Sequence, residues 1–188
     1  MKKILLISYY WPPNAGVGAR RWLNFQKYLS KEYSITIYTP ENPTVLNEDE
    51  ALLNSVSSNT HTIKQKIWEP YDLYKTFTKK TKVNPGVLID SNRGIKEKFT
   101  NWVRANFFIP DAKCFWIGQS VSYLSKLFSK ENFDYVISTG PPHSMHVIAL
   151  NLRERCNFKW IADFRDPWTN MEYFSKLNLL NESKKKTF

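Results

Sequence analysis

Residues 3–39 read KILLISYYWPPNAGVGARRWLNFQKYLSKEYSITIYT, and their patterning decides the fold. The run Ile4–Ser8 is almost wholly apolar, as in a strand buried on both faces. After a loop, Ala19, Trp22, Leu23, Gln26 and Leu29 recur at helical spacing, with Arg20, Asn24, Lys27 and Lys31 on the opposite face. Ser34–Thr39 is short and β-branched, which predicts a second strand. Strand, helix and strand within the first 40 residues make a βαβ unit with an expected right-handed crossover.

Working outward, the alternation continues. Thr60–Ile67 reads as a third strand, and Lys75–Asn92 as a polar excursion or loop. Ile95, Phe99 and Trp102 suggest a short helix that stops before Pro110. Ile117, Val121, Leu124 and Phe128 mark a clearer helix ending near Lys130. Phe133–Thr139 reads as a strand, His143–Arg155 as a helix and Lys159–Phe164 as a strand. The expectation is an α/β chain with a doubly wound, mostly parallel sheet flanked by helices. Met171–Phe188 looks helical, turns polar at Lys184–Lys186 and carries no stop signal. It reads as a cut through a longer protein.

The chain's 188 residues suit one compact domain, or one lobe of a larger protein. With 42% hydrophobic and 15% aromatic residues it is not a disordered chain. Cys114 and Cys156 sit in no metal-binding spacing, so a reduced, cytoplasmic setting is expected. The apolar start is too short for a signal peptide, and no window approaches the roughly 20 apolar residues of a membrane span. The net charge of +10 leaves an anionic membrane surface, nucleic acid or a phosphorylated ligand as partner classes.

Three strand ends carry the chemistry. The first is the loop Tyr9–Arg20, where Gly16 and Gly18 precede a helix and let backbone approach an anion. Arg21 stands where a dinucleotide fingerprint would have its third glycine, and no acidic residue clearly ends the second strand, so NAD is disfavoured. An ordinary glycine-capped loop is the plainer alternative. The second is Ser138–His146, in which His143 sits at a helix start and His146 one turn later; an imidazole there can take a proton from a hydroxyl. The alternative is that His143 caps the helix while His146 packs or is solvated. The third is Ala162–Thr169: alternation puts Asp163 and Arg165 on one side of the strand, Phe164 and Asp166 on the other. A structural Asp163–Arg165 pair is the bland alternative. A fourth feature, from His61 to Arg104, places ten Lys/Arg against four acidic residues, beside Phe99, Trp102, Phe107 and Phe108. It suits an anionic membrane interface or stacked nucleotides, or else a solvated face above core aromatics.

Together, the opening segment, FIPDAKCFWI (108–117), YVISTGPPHSMHVIAL (135–150) and WIADFRDPWTN (160–170) resemble the N-terminal domain of a family-4 glycosyltransferase. The resemblance implies one Rossmann-like lobe of a GT-B enzyme spanning residues 1–188. The C-terminal nucleotide-sugar-binding lobe is not in this chain. It further implies a retaining transfer from a nucleotide-sugar donor to a saccharide or lipid-linked acceptor, in surface polysaccharide or glycoconjugate synthesis. No cofactor beyond the donor and no metal is implied, and no D-x-D triplet is present. Gly16, Val17, Gly18 and Arg20 would line the cleft, with Asp163 and Arg165 on the acceptor side. Relatives carry a functional histidine where this chain has Thr139-Gly140, so His143 is the candidate replacement. Asp166 is the candidate for stabilising oxocarbenium-like charge or orienting the acceptor hydroxyl. The expected location is cytoplasmic, peripheral on the inner face of the membrane. A non-enzymatic basic module for nucleic acid or anionic membrane, and a sugar-nucleotide epimerase lobe, are the alternatives; nucleic acid ranks well below the transferase.

Overall fold

The computed structural model describes residues 1–44, 47–68 and 108–166. The excursion 75–92, the helix expected around Ile95–Trp102, nearly all of the basic-aromatic stretch and the 171–188 tail fall outside them. Within the described residues, β1 (Lys2–Ile7), β2 (Tyr33–Pro40), β3 (Thr60–Gln65), β4 (Tyr135–Gly140) and β5 (Lys159–Phe164) form one sheet. All pairings are parallel, in the order β3-β2-β1-β4-β5. The chain is therefore an α/β, Rossmann-like fold. β1 lies between β2 and β4, which explains its continuous apolar run: a strand hydrogen-bonded on both sides and covered on both faces has no polar position to spare.

Strand alternation divides the core in two. Leu5, Ile7, Tyr38 and Val136 point to one face, where they meet α2 (Trp116–Phe128) and α3 (Ser144–Arg153) through Leu124, Met145, Ile148 and Leu152. Ile4, Leu6, Ile35, Ile37 and Ile137 point to the other and pack on Trp22 and Leu23 of α1 (Val17–Leu29). The helical spacing read from sequence is what is buried on α1: Ala19, Trp22, Leu23 and Gln26. Gln26 is a buried amide with three hydrogen bonds, donating to Ser55 O at 3.0 Å and accepting from Ser57 N and Thr60 Oγ1. It ties the 3-10 turn Glu50–Ser55 and the start of β3 to α1, as a buried polar group requires.

Among the described residues no helix is long and apolar enough to cross a membrane. Cys114 and Cys156 are both free.

Candidate functional site

In a sheet ordered 3-2-1-4-5 the chain winds one way from β1 and the other way from β4, so a crevice opens between the C-terminal ends of those two strands. The loop after β1, the Gly140–His143 turn after β4 and the end of β5 all lie on that edge.

The β1–α1 loop is stitched down. Asn14 Oδ1 accepts from Gly16 N at 2.9 Å, Ala15 N donates to Asn47 O at 3.1 Å, and Asp49 N donates to Pro13 O at 2.7 Å. Gly16 is the extended N-cap of α1 without a side-chain cap, and Val17 is 76% exposed. Gly18 is needed for close approach: a Cβ there would lie 2.5 Å from Arg165 Nη1, whose guanidinium rests over the first turn of α1. Arg20 turns back on its own loop, its Nε donating to Ala15 O at 3.0 Å and its Nη2 lying 3.9 Å from Asp49. Its neighbour Arg21 reaches across to Asp163 and lies over the ring of Phe25.

Asp163, on β5, is the node of that side. Its carboxylate takes a two-pronged contact from Arg21, a hydrogen bond from Trp22 Nε1 at 3.0 Å and one from Thr139 Oγ1 at 2.8 Å. Burial alone would raise its pKa, but the Arg21, Thr139 and Trp22 donors outweigh it and hold the carboxyl below its usual range. The Asp163–Arg165 pair entertained from sequence does not form; Arg165 sits 3.5 Å from Asp166 instead. Alternation explains the choice. Asp163 and Arg165 both reach toward α1, where a bidentate partner stands opposite Asp163.

On the other face, Trp160 Nε1 donates to Ser138 Oγ at 2.9 Å, and Ser138 Oγ lies 2.8 Å from His146 Nδ1. Ser138 Oγ, which accepts from Trp160, thus joins the indole and the His146 imidazole in one buried hydrogen-bonded chain. His146 is 3% exposed and stacks under Phe164 at 4.1 Å between centroids and 28° between planes. Burial, reinforced by His143, pushes its pKa down to about 4 against the pull of Asp163. His143 is also lowered by burial, although Asp111 and Asp166 act to raise it. Both rings are therefore neutral at pH 7. His143 occupies the N-cap position of α3 but makes no side-chain cap bond. Asp111 supplies that cap, accepting from Ser144 N and Ser144 Oγ, each at 2.8 Å.

Gly140 makes this packing possible. A Cβ on it would lie 2.7 Å from His146 Nε2, 3.0 Å from His143 Nδ1 and 3.2 Å from Pro142 O. Gly140→Ala is expected to destabilise the fold by about 2 kcal/mol, because two buried rings and a backbone carbonyl would have to yield. Thermal unfolding should show a Tm lowered by roughly 4–8 °C; an unchanged Tm would mean that the rings move freely.

The sequence-named residues thus separate. Gly18 and Arg165 meet, His143 feels Asp166, Asp163 is engaged within the protein, and Arg20 braces a loop. Arg21, Trp22, Thr139, Ser138, Phe164 and Asp111 were not singled out by sequence. Ser138, Thr139 and Phe164 lie within the strand-end motifs, but Arg21 reads only as a departure from a dinucleotide fingerprint and Trp22 only as a buried helix position. Among the described residues no three His, Cys, Asp or Glu side chains gather as a metal site.

No protein-family model and no curated protein matches the chain. Among solved structures, the C-terminal domain of a hydrogenase from Pyrococcus furiosus is similar at 16% identity and TM-score 0.43, over 87% of this chain and 91% of that one. Sucrose-phosphate synthase from Thermosynechococcus elongatus is similar at 15% identity and TM-score 0.47, over 88% of this chain and 33% of that one. Phytolacca americana UGT2, complexed with UDP-2-fluoro-glucose and pterostilbene, is similar at 15% identity and TM-score 0.44, over 86% of this chain and 30% of that one. The chain spans about a third of the length of the two sugar-transfer proteins.

Proposed function

We propose that the chain is the acceptor-binding lobe of a retaining glycosyltransferase, working with a second, nucleotide-sugar-binding lobe. The observation that carries this reading is the convergence of the β1 loop, the β4 turn and the β5 end on one crevice at the point where the sheet's winding reverses. In this reading Gly16, Val17 and Gly18 border the cleft and Arg165 offers a cation beside them. His143, neutral at pH 7, accepts the proton of the acceptor hydroxyl, and Asp166 steadies positive charge or orients that hydroxyl. The acceptor is a saccharide or lipid-linked sugar of surface polysaccharide or glycoconjugate, handled on the cytoplasmic side of a membrane. The lobe by itself binds but does not turn over, because donor and acceptor have to be held together.

The test is transfer by the full-length protein from a panel of nucleotide-sugars, comparing wild type with His143→Ala. Transfer is expected to fall by about 100-fold or more, the scale of lost general-base catalysis, with a lower Tm from the lost buried ring, so activity is compared at a temperature where both proteins are folded. Activity near wild type would remove His143 as base and turn attention to Asp166. Absence of transfer with every donor would sink the reading.

A further inference from the structure

We infer that the outward face of Phe164 is a stacking platform for a pyranose ring. The inference rests on the sugar-transfer reading for its class of ligand, and on the following geometry for its place.

Phe164 ends β5 on the functional edge of the sheet and is 50% exposed. Its inner face is fully committed, stacked on His146 at 4.1 Å and facing His143 at 5.9 Å. The support runs deeper. His146 is fixed through Ser138, and Ser138 is fixed by the Trp160 indole. Gly140 is the register partner of Phe164, and its missing side chain leaves the space that His146 Nε2 fills. Arg165 N closes the strand end by donating to Gly140 O at 3.1 Å. The ring's freedom is thus largely spent before any ligand arrives, so a partner gains its contact with little further ordering.

The chemistry of the surroundings selects the partner. An aromatic face is the negative side of a quadrupole and attracts weakly positive C–H groups, which a pyranose presents as a patch on one side of its ring. Ring hydroxyls need both donors and acceptors at the rim. Arg165 and Asp166 follow directly in the chain, partly exposed and held to each other only loosely, at 3.5 Å. The exposed Asp166 carboxylate can accept from a vicinal diol, while the Arg165 guanidinium lies over the first turn of α1 and Asp163 is already engaged by three protein donors.

The experiment is saturation-transfer NMR on the full chain, irradiating aromatic protons. The probes are methyl β-D-glucopyranoside, methyl β-D-galactopyranoside and methyl α-D-mannopyranoside, with uridine as the competing planar ligand. Saturation is expected to enter the ring C–H protons on one face of at least one glycoside. Phe164→Ala and Phe164→Leu should weaken that binding roughly 5- to 10-fold, and Phe164→Trp should keep it. The leucine variant preserves bulk over His146, so it reports on the aromatic face rather than on folding. No transfer to any glycoside, binding unchanged in Phe164→Leu, or preference for uridine at this face would overturn the platform. If glycosides bind through Phe164 but no nucleotide-sugar is ever turned over, the platform stands and the transferase reading falls. If transfer runs with an acceptor KM indifferent to Phe164→Leu, the reverse holds.

Discussion

Asp163→Ala is expected to lower stability by about 3 kcal/mol, which for a chain of this size is a Tm loss of roughly 6–12 °C. Three donors converge on this one carboxylate from two elements: Arg21 and Trp22 on α1, Thr139 on β4. Removing it leaves a part-buried guanidinium uncompensated, and that orphaned charge is the larger share of the cost. The figure sits at the low end of the range for buried pairs because Arg21 keeps 35% of its side-chain surface in water. Asp163→Asn should cost less, since one oxygen still serves Trp22 and Thr139. The pH dependence follows from the depressed pKa. The stabilisation is fully present above the unfolded value near 3.8 and disappears as pH falls through the lower folded value. Urea unfolding of wild type and Asp163→Asn should therefore diverge at pH 7 and converge only as pH falls below 3.8 through the lower folded value. Equal stability at pH 7 would show the network to be ornamental.

Acid should also act through His146, with opposite chemistry. The unfolded chain takes up this proton near pH 6.5, whereas the folded chain resists it until about 4. Between those values acid favours the unfolded state, and the gap corresponds to about 3 kcal/mol lost on going from pH 7 to pH 4. His146→Gln keeps an acceptor for the Ser138 hydroxyl and removes the titration. Its stability, measured by urea unfolding at stepped pH, should be nearly flat where wild type slopes. His143 contributes a residual slope of the same sign, since its pKa is lowered too. Parallel slopes for wild type and His146→Gln would mean that the imidazole is solvated in the native state.

The contrast between these two networks and the strands around them shows what a sequence discloses. Each strand and α-helix within the described residues is legible because it rests on local periodicity, with β5 read at Lys159–Phe164 as found and α1 and α2 within two residues at their starts, whereas the short 3-10 turn Glu50–Ser55 has no such period and was not read. The three strand-end motifs could be placed on one edge because parallel topology puts them there. Their bonding could not. Arg21 and Asp163 are 142 positions apart, and nothing in either neighbourhood favours that partner over Arg165, which is two residues away. His146 likewise looked like a packing residue. Its role depends on Ser138 and Trp160 arriving on the same side of two adjacent strands, and on Gly140 leaving a gap that becomes visible only in three dimensions.

The central place of β1 carries a consequence for how the chain is made. Ile4 pairs with Ile35 on one flank and with Tyr135 on the other. The first contact closes within a short stretch of nascent chain, while the second has to wait until Tyr135 has left the ribosome. Loop-closure entropy makes that later pairing costlier by about 1.3 kcal/mol, since the separation is roughly two doublings longer. The β1–α1–β2 unit therefore forms with an apolar flank bare, and the arrival of β4 covers the free edge of β1 and ends the interval in which that flank invites aggregation.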